Sequence, residues 1–355
     1  REIEAAWGLP AGAISPTPGP DAQAMFRQLA DGAIKVIWII GTNPLHSLPD
    51  TAAIRRALEA AELVIVQDAY ATSSLLPYAD VVLPAAVWSE VSGTFTASDR
   101  HVTLLNPAAP PPGDARPDWW LLQSVAQRLG FALDYPDARA IWDEYRALTR
   151  GRFPLDVSGI SYERLSAGPL QWPCPDAEHP GAARLYEDRR FATPDGRARC
   201  AATPLVDPAE LPDEEFPFWL TTGRVLEQWH TRTRTAAVPR LNQRAAGAFI
   251  EIHPDDAALL GVAEDEALAV LSRRGACTAP VRLSAEIKRG VVFMPLHWDE
   301  GNPNAVTSTA ADPLSLQPEL KACAVRLAPV VEGRMLSLGD AAFDSALVPS
   351  ERRTR

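Results

Sequence analysis

The stretch FWLTTGRVLEQWHTRTRT (Phe218–Thr235) decides how this chain is read. A short apolar run, Phe218-Trp219-Leu220, ends at Thr221-Thr222-Gly223-Arg224 and is followed by Gln228, Trp229, His230, Thr231, Arg232, Thr233, Arg234 and Thr235. That is a strand running into a loop dense in guanidinium, hydroxyl, imidazole and amide groups. Its glycine lets backbone approach closely, and the set suits a polyanionic ligand with hydrogen-bonding rings. The competing reading is a basic surface hairpin.

The pattern changes on either side of this stretch. Downstream, short apolar runs at Pro217–Leu220, Ala248–Ile252, Ala267–Ser272, Thr278–Leu283 and Gly290–Met294 alternate with turn residues such as Arg273-Arg274-Gly275 and Lys288-Arg289-Gly290. Many short strands, with one helix opened by His253-Pro254-Asp255 and closed by Gly261, predict a closed barrel. Upstream, strands and helices alternate. IKVIWII (Ile34–Ile40), LVIVQ (Leu63–Gln67) and ADVVLP (Ala79–Pro84) are continuous apolar runs. Between and after them lie helical stretches at 21–31, Thr51–Glu62 and Pro117–Leu129, the last with an apolar stripe of Trp120, Leu121, Val125 and Leu129. This alternation predicts an open, mostly parallel sheet, and Gly41-Thr42-Asn43-Pro44 sits at a strand end, where such sheets bind ligands. Residues from about 136 to 215, rich in Pro and Gly, carry one predicted helix (Ala138–Leu148) and read as a connector.

Composition sets limits. The chain has 355 residues, room for two domains, and a net charge of −11. That balance disfavours nucleic acid or an anionic membrane as partner, and no apolar run approaches the roughly 20 residues that span a bilayer. Cys174, Cys200, Cys277 and Cys323 are widely spaced with no CxxC pair. They read as reduced, mostly packed thiols rather than ligands of zinc or of an iron–sulfur cluster.

Taken in order, GTNP (Gly41–Pro44), YADVVLP (Tyr78–Pro84), WSEVSGTFT (Trp88–Thr96), TTGRVLEQWHTRTRT (Thr221–Thr235), HPDDA (His253–Ala257), RRG (Arg273–Gly275) and LKACAVRL (Leu320–Leu327) resemble the molybdopterin-guanine-dinucleotide oxidoreductases. Within them the likeness is greatest to the assimilatory nitrate reductase catalytic subunits, through RPDWW (Arg116–Trp120), QWPCP (Gln171–Pro175), TPDGRAR (Thr193–Arg199) and DPLSLQPELKACAVRL (Asp312–Leu327). One position departs from the family pattern: Ala97 stands where an asparagine is usual.

The resemblance implies an α/β fold class: the carboxy-terminal part of a Rossmann-like parallel α/β domain over 1–150 and a connector over 151–215. A six-stranded double-psi β-barrel over 216–330 and a flexible tail over 331–355 follow. It implies a molybdenum bis(molybdopterin guanine dinucleotide) cofactor. The matching positions are Gly41, Thr42, Asn43, Pro44, Asp68, Asp80, Glu90, Gly93, Thr94, Thr222, Gly223, Arg224, Gln228, His230, Thr231, Thr233, Arg234, His297 and Asn304. Arg232 and Arg234 are candidates for lining a substrate funnel. Asp68 or Asp80 would accept from a guanine edge, while Gln228 and His230 would face the flat pterin. His46, His101, His179 and His253 read as surface or packing residues.

The implied activity is reduction of nitrate to nitrite by oxygen-atom transfer in the cytoplasm, with a redox donor protein or domain. The four-iron four-sulfur cluster and the cysteine on molybdenum would then lie in amino-terminal domains outside this chain, which alone would be incomplete and inactive. A formate dehydrogenase-like enzyme of the same cofactor group, or a noncatalytic pterin-dinucleotide-binding module, are the alternatives.

Overall fold

The computed structural model describes residues 1–331 together with Arg334 and Met335. Apart from Val331 and those two residues, the expected flexible tail lies outside the described residues. The helices are α1 (Glu2–Ala6), α2 (Ala22–Ala30), α3 (Pro44–Ser47), α4 (Thr51–Ala60), α5 (Asp118–Arg128), α6 (Ala138–Thr149), α7 (Tyr162–Ala167), α8 (Pro239–Arg244) and α9 (Pro254–Leu260). The strands are β1 (Val36–Ile40), β2 (Leu63–Asp68), β3 (Val81–Pro84), β4 (Gly93–Thr96), β5 (His101–Leu105), β6 (Leu170–Gln171), β7 (Phe218–Gly223), β8 (Ile250–Ile252), β9 (Ala267–Leu271), β10 (Ala276–Leu283), β11 (Val291–Pro295), β12 (Cys323–Val331) and β13 (Arg334–Met335).

Two compact units interleave along the chain. One comprises Arg1–Gly19, Val66–Ala71 and Val81–Leu205; the other comprises Pro20–Ile65, Thr72–Asp80 and the described residues from Val206 onward. The second unit contains the barrel. Strands β12, β7, β11, β8, β10 and β9 are hydrogen bonded in that order, and β9 pairs back to β12, which closes the ring; β13 is appended to β12. Two of the pairs are parallel, β7 with β11 and β8 with β10. Parallel neighbours that are not consecutive require crossing connections, as a double-psi barrel has.

The interior is filled by Leu220, Ile250, Ile252, Leu268, Val270, Val292, Met294 and Val325, all essentially inaccessible. Burial of each such side chain contributes about 1.5–3 kcal/mol. The strand pattern picks out five of the six staves. The sixth, β12, is read from sequence only as the motif LKACAVRL; its pairing to β7 and β9 is long-range and leaves no local signature.

The same unit holds α2, β1, α3 and α4. Asp21 and Asp50 cap α2 and α4 by accepting from Ala24 N and Ala53 N. Ile54, Ala57 and Leu58 form the buried stripe of α4. Strands β1, β2 and β3 are neighbours in that order in a three-stranded sheet.

The other unit is built on β4–β5–β6 and on α6, with Trp142, Val157, Ile160, Leu165 and Cys174 around Val102. Two features there differ from the sequence reading. The β4–β5 hairpin is absent from it because its turn places Arg100, not Gly or Asn, at φ +74°. The stripe expected on α5 buries only Leu121, while Trp120 is 41% and Leu129 71% exposed.

Candidate functional site

Because β7 and β11 are parallel and Gly223 pairs with Pro295, the loops that follow them leave the barrel side by side at one end. These are the guanidinium-rich loop and the segment Leu296–Asn304. Three hydrogen bonds bind them. Leu296 N donates to Gly223 O (3.0 Å), Val225 N donates to His297 Nε2 (3.0 Å), and His297 Nδ1 donates to His230 O (2.8 Å). His297 is 1% exposed. Accepting at Nε2 and donating at Nδ1, it is held as the neutral Nδ1–H tautomer. Burial, and then the charges of Arg224, His230 and Arg232, hold its pKa below 6.5, against the hydrogen bond to His230.

The loop needs this clamp. His230 (φ +41°) and Arg232 (φ +64°) both occupy the left-handed region. Each costs about 1 kcal/mol or more, and such residues persist only where the surroundings over-determine them. Gln228 is the second anchor. It is buried, its Nε2 donates to Ala245 O (3.1 Å), and its Oε1 accepts from Thr235 Oγ1 (2.7 Å). Arg232 donates to Asn242 Oδ1 (3.1 Å) and lies over the Trp298 ring, 5.2 Å from its centroid. Gln228 and Arg232 thus brace the loop.

Other groups face outward. Arg224 and Arg234 are exposed and make no ion pair, and the His230 ring and the Thr231 and Thr233 hydroxyls have no hydrogen-bond partner within the described residues. Burial and Arg224 lower the pKa of His230, and the same two causes in the same order lower that of Lys321. Lys321 Nζ donates to Thr222 O (2.7 Å), and the Thr222 hydroxyl donates to Leu320 O (2.7 Å). Lys321 is a site residue that sequence reasoning missed, although it lies inside a quoted motif. Gly223 has a steric reason: a Cβ there would fall 2.5 Å from Phe293 Cε2.

The glycine corner reaches the same loops. Gly41 has φ +58° and open space around its absent Cβ. Gly41→Ala is therefore expected to cost about 1 kcal/mol through the backbone alone, read as a fall in Tm that Gly41→Asn partly recovers. Asn43 caps α3 by accepting from Leu45 N (3.1 Å) and donates to Ser74 Oγ (2.9 Å). Pro44 opens α3 and is buried.

α3 is latched to Leu296–Asn304. Asn302 Nδ2 donates to Leu45 O (2.9 Å), Asn304 Nδ2 to His46 O, and His46 Nε2 to Asp299 Oδ1 (2.6 Å). His46 is 3% exposed, so it is a buried member of the latch rather than a surface residue. Its hydrogen bond holds the Asp299 carboxyl below the ordinary range, against partial burial. Asn304, 2% exposed, also accepts from Thr307 Oγ1 (3.0 Å). Its amide is committed to the latch.

The remaining predicted residues have local partners. Asp80 Oδ2 accepts from Val64 N (2.8 Å), a strand-end turn. In the other unit, Glu90 Oε2 accepts from Val87 N (2.9 Å), while Gly93 and Thr94 pair with Leu105 and Leu104 in the hairpin. Asp68 accepts from Tyr70 N (3.0 Å), and burial raises its pKa. Cys174 and Cys323 are buried, Cys277 is half-buried with its thiol pushed up to about 12, and Cys200 is exposed; all four are free thiols. Among the described residues no group of three or more His, Cys, Asp or Glu forms a metal site, and no helix is long and apolar enough to cross a membrane.

Comparison with known proteins fits this geometry. Residues 6–128 match the family model "Molybdopterin oxidoreductase", and residues 218–324 match "Molydopterin dinucleotide binding domain". The chain is 42% identical over 296 residues to the F420-dependent formate dehydrogenase subunit alpha of Methanocaldococcus jannaschii, covering 83% of this chain and 43% of that one. It is 41% identical over 342 residues to a nitrate reductase of Synechocystis sp., covering 93% and 48%. It thus spans less than half the length of these relatives. Acetylene hydratase from Pelobacter acetylenicus shares the fold, with TM-score 0.70 over 92% of this chain and 49% of that one, at 17% identity. With those two matches, a closed barrel and a clamped, cationic loop at the barrel's end, the chain carries a molybdopterin oxidoreductase domain and a molybdopterin dinucleotide-binding domain.

Proposed function

We propose that the loop after β7 and the corner after β1 hold the guanine dinucleotide of a molybdenum bis-molybdopterin cofactor, and that the enzyme reduces nitrate to nitrite in the cytoplasm. The observation that carries this is the pair of exposed guanidiniums, Arg224 and Arg234, which make no ion pair among the described residues, on a strained loop braced from behind. Guanidinium forks suit a diphosphate. Thr231, Thr233 and the His230 ring add unused hydrogen-bonding groups beside them, and Thr42 adds another at the corner.

Molybdenum, when bound, supplies the two-electron oxygen-atom transfer. The residues of this chain hold position and charge. Gln228, His297 and Arg232 fix the loop, while Arg224, Arg234 and Lys321 give the barrel end a positive field in an acidic protein, which draws in an anionic substrate. In the whole enzyme this reading includes a four-iron four-sulfur cluster with ligands outside this chain and a redox donor protein.

Arg224→Ala and Arg234→Ala are each expected to lower cofactor retention at least about tenfold, the loss of one charge-assisted hydrogen bond, read as molybdenum per protein. Full retention in both would reject the phosphate role. Formate oxidation is the second reading, because the Methanocaldococcus relative carries that activity in its name. Nitrate-dependent oxidation of a reduced viologen, set against formate-dependent reduction of an oxidised one, separates the two.

A further inference from the structure

Outside that site, the barrel-bearing unit has a cleft of about 760 Å³ between α4 and the β9–β10 turn. Phe216, Leu271, Ala276 and Ala305 give it an apolar lining, and none of its residues belongs to the site described above. Its cations are arginines: Arg55 and Arg56 from α4, Arg273 and Arg274 from the turn, and Arg326 from β12. Arg273 is neutralised by Asp213 (2.5 Å) and Arg274 by Glu210. Arg55 donates to the uncharged Tyr78 hydroxyl (3.1 Å), and Arg56 makes no hydrogen bond or ion pair among the described residues. Glu215 is the single acid that lines the cleft.

In a chain of net charge −11, two neighbouring guanidiniums that make no ion pair among the described residues, Asp299 being an acid on which Arg55 acts from a distance, stand over a concave apolar lining with charge to spare for a ligand. The volume lies in the range of small-molecule pockets. Guanidinium forks recognise carboxylates and phosphates two oxygens at a time.

We propose that this cleft is a second anion site. It takes a small organic oxyanion of two or more negative charges, a phosphate ester or a polycarboxylate, through Arg55 and Arg56. The test is calorimetric titration of the purified protein with inorganic pyrophosphate and, separately, with citrate. At low salt, one or both are expected to bind with Kd below about 1 mM and to weaken at high salt. Pyrophosphate alone assigns the phosphate class, and citrate alone the carboxylate class.

The double variant Arg55→Ala/Arg56→Ala is expected to weaken binding at least about tenfold, whereas Arg234→Ala, on the barrel-end loop, leaves it unchanged. Should the double variant fail to fold, Arg56→Gln decides, since that side chain has no partner to lose; it should melt like the wild type and still bind less tightly. The proposal is overturned if neither anion binds below 1 mM, if Arg56→Gln binds as the wild type does, or if Arg234→Ala abolishes binding.

Discussion

Replacing His297 with alanine is expected to destabilise the barrel-bearing unit by about 3 kcal/mol and to release the cofactor loop. The imidazole is 1% exposed and joins Val225 N to His230 O, so its removal leaves a cavity, an unpaired N–H and an unpaired carbonyl. A buried unsatisfied group costs about 1–3 kcal/mol, and the cavity adds to it. The loop's two left-handed residues then lose what holds them. Chemical denaturation should show a lower midpoint, and cofactor content should fall further than stability alone explains. His297→Gln, which can still accept and donate, should recover part of both.

His297 also sets a pH dependence. Its pKa in the folded protein lies below 6.5, so between the two values the unfolded chain binds more protons. Its contribution is therefore complete above about pH 6.5 and is lost as pH falls from there toward the depressed folded value. The slope of stability against pH below 6.5 should be shallower in His297→Gln. An unchanged slope would assign the acid sensitivity elsewhere, His230 being the other lowered histidine at this end.

Asn304→Asp is the second large expected effect, about 3 kcal/mol or more, because it places a charge at a 2% exposed position against the His46 carbonyl that Asn304 now donates to. Asn304→Ala should cost less, about 2 kcal/mol, through the unpaired His46 O and Thr307 hydroxyl. Both loosen α3 from Leu296–Asn304, so both should raise hydrogen exchange at His46 and Ser47, whose amides bond to Asn43 O. If Asp were tolerated better than Ala, the latch as described would be wrong.

The features legible in the sequence were those with a local signature. The apolar runs of β1, β2, β8 and β9 declared themselves, as did Pro254 and Gly261 at the ends of α9. The loop after Leu220 was conspicuous by composition. What escaped depends on contacts distant in sequence. β12 becomes a stave only through its pairs with β7 and β9. His46 becomes a buried latch only because Asp299 lies 253 positions away in the chain and 2.6 Å away in space. The bracing bonds of Gln228 to Ala245 O and Thr235, and of Asn304 to Thr307, are likewise invisible until the fold brings those partners together.

The most direct measurement is the nucleotide and metal content of the protein purified from cells that make the cofactor. Acid hydrolysis of the wild type should release guanosine monophosphate and molybdenum in a ratio near two to one. Arg224→Ala/Arg234→Ala should lose both together while staying folded, as read by circular dichroism, its melting temperature falling only by the stabilisation that the cofactor supplied. Absence of guanosine monophosphate from the wild type, or its full retention by a folded double variant, would contradict the account.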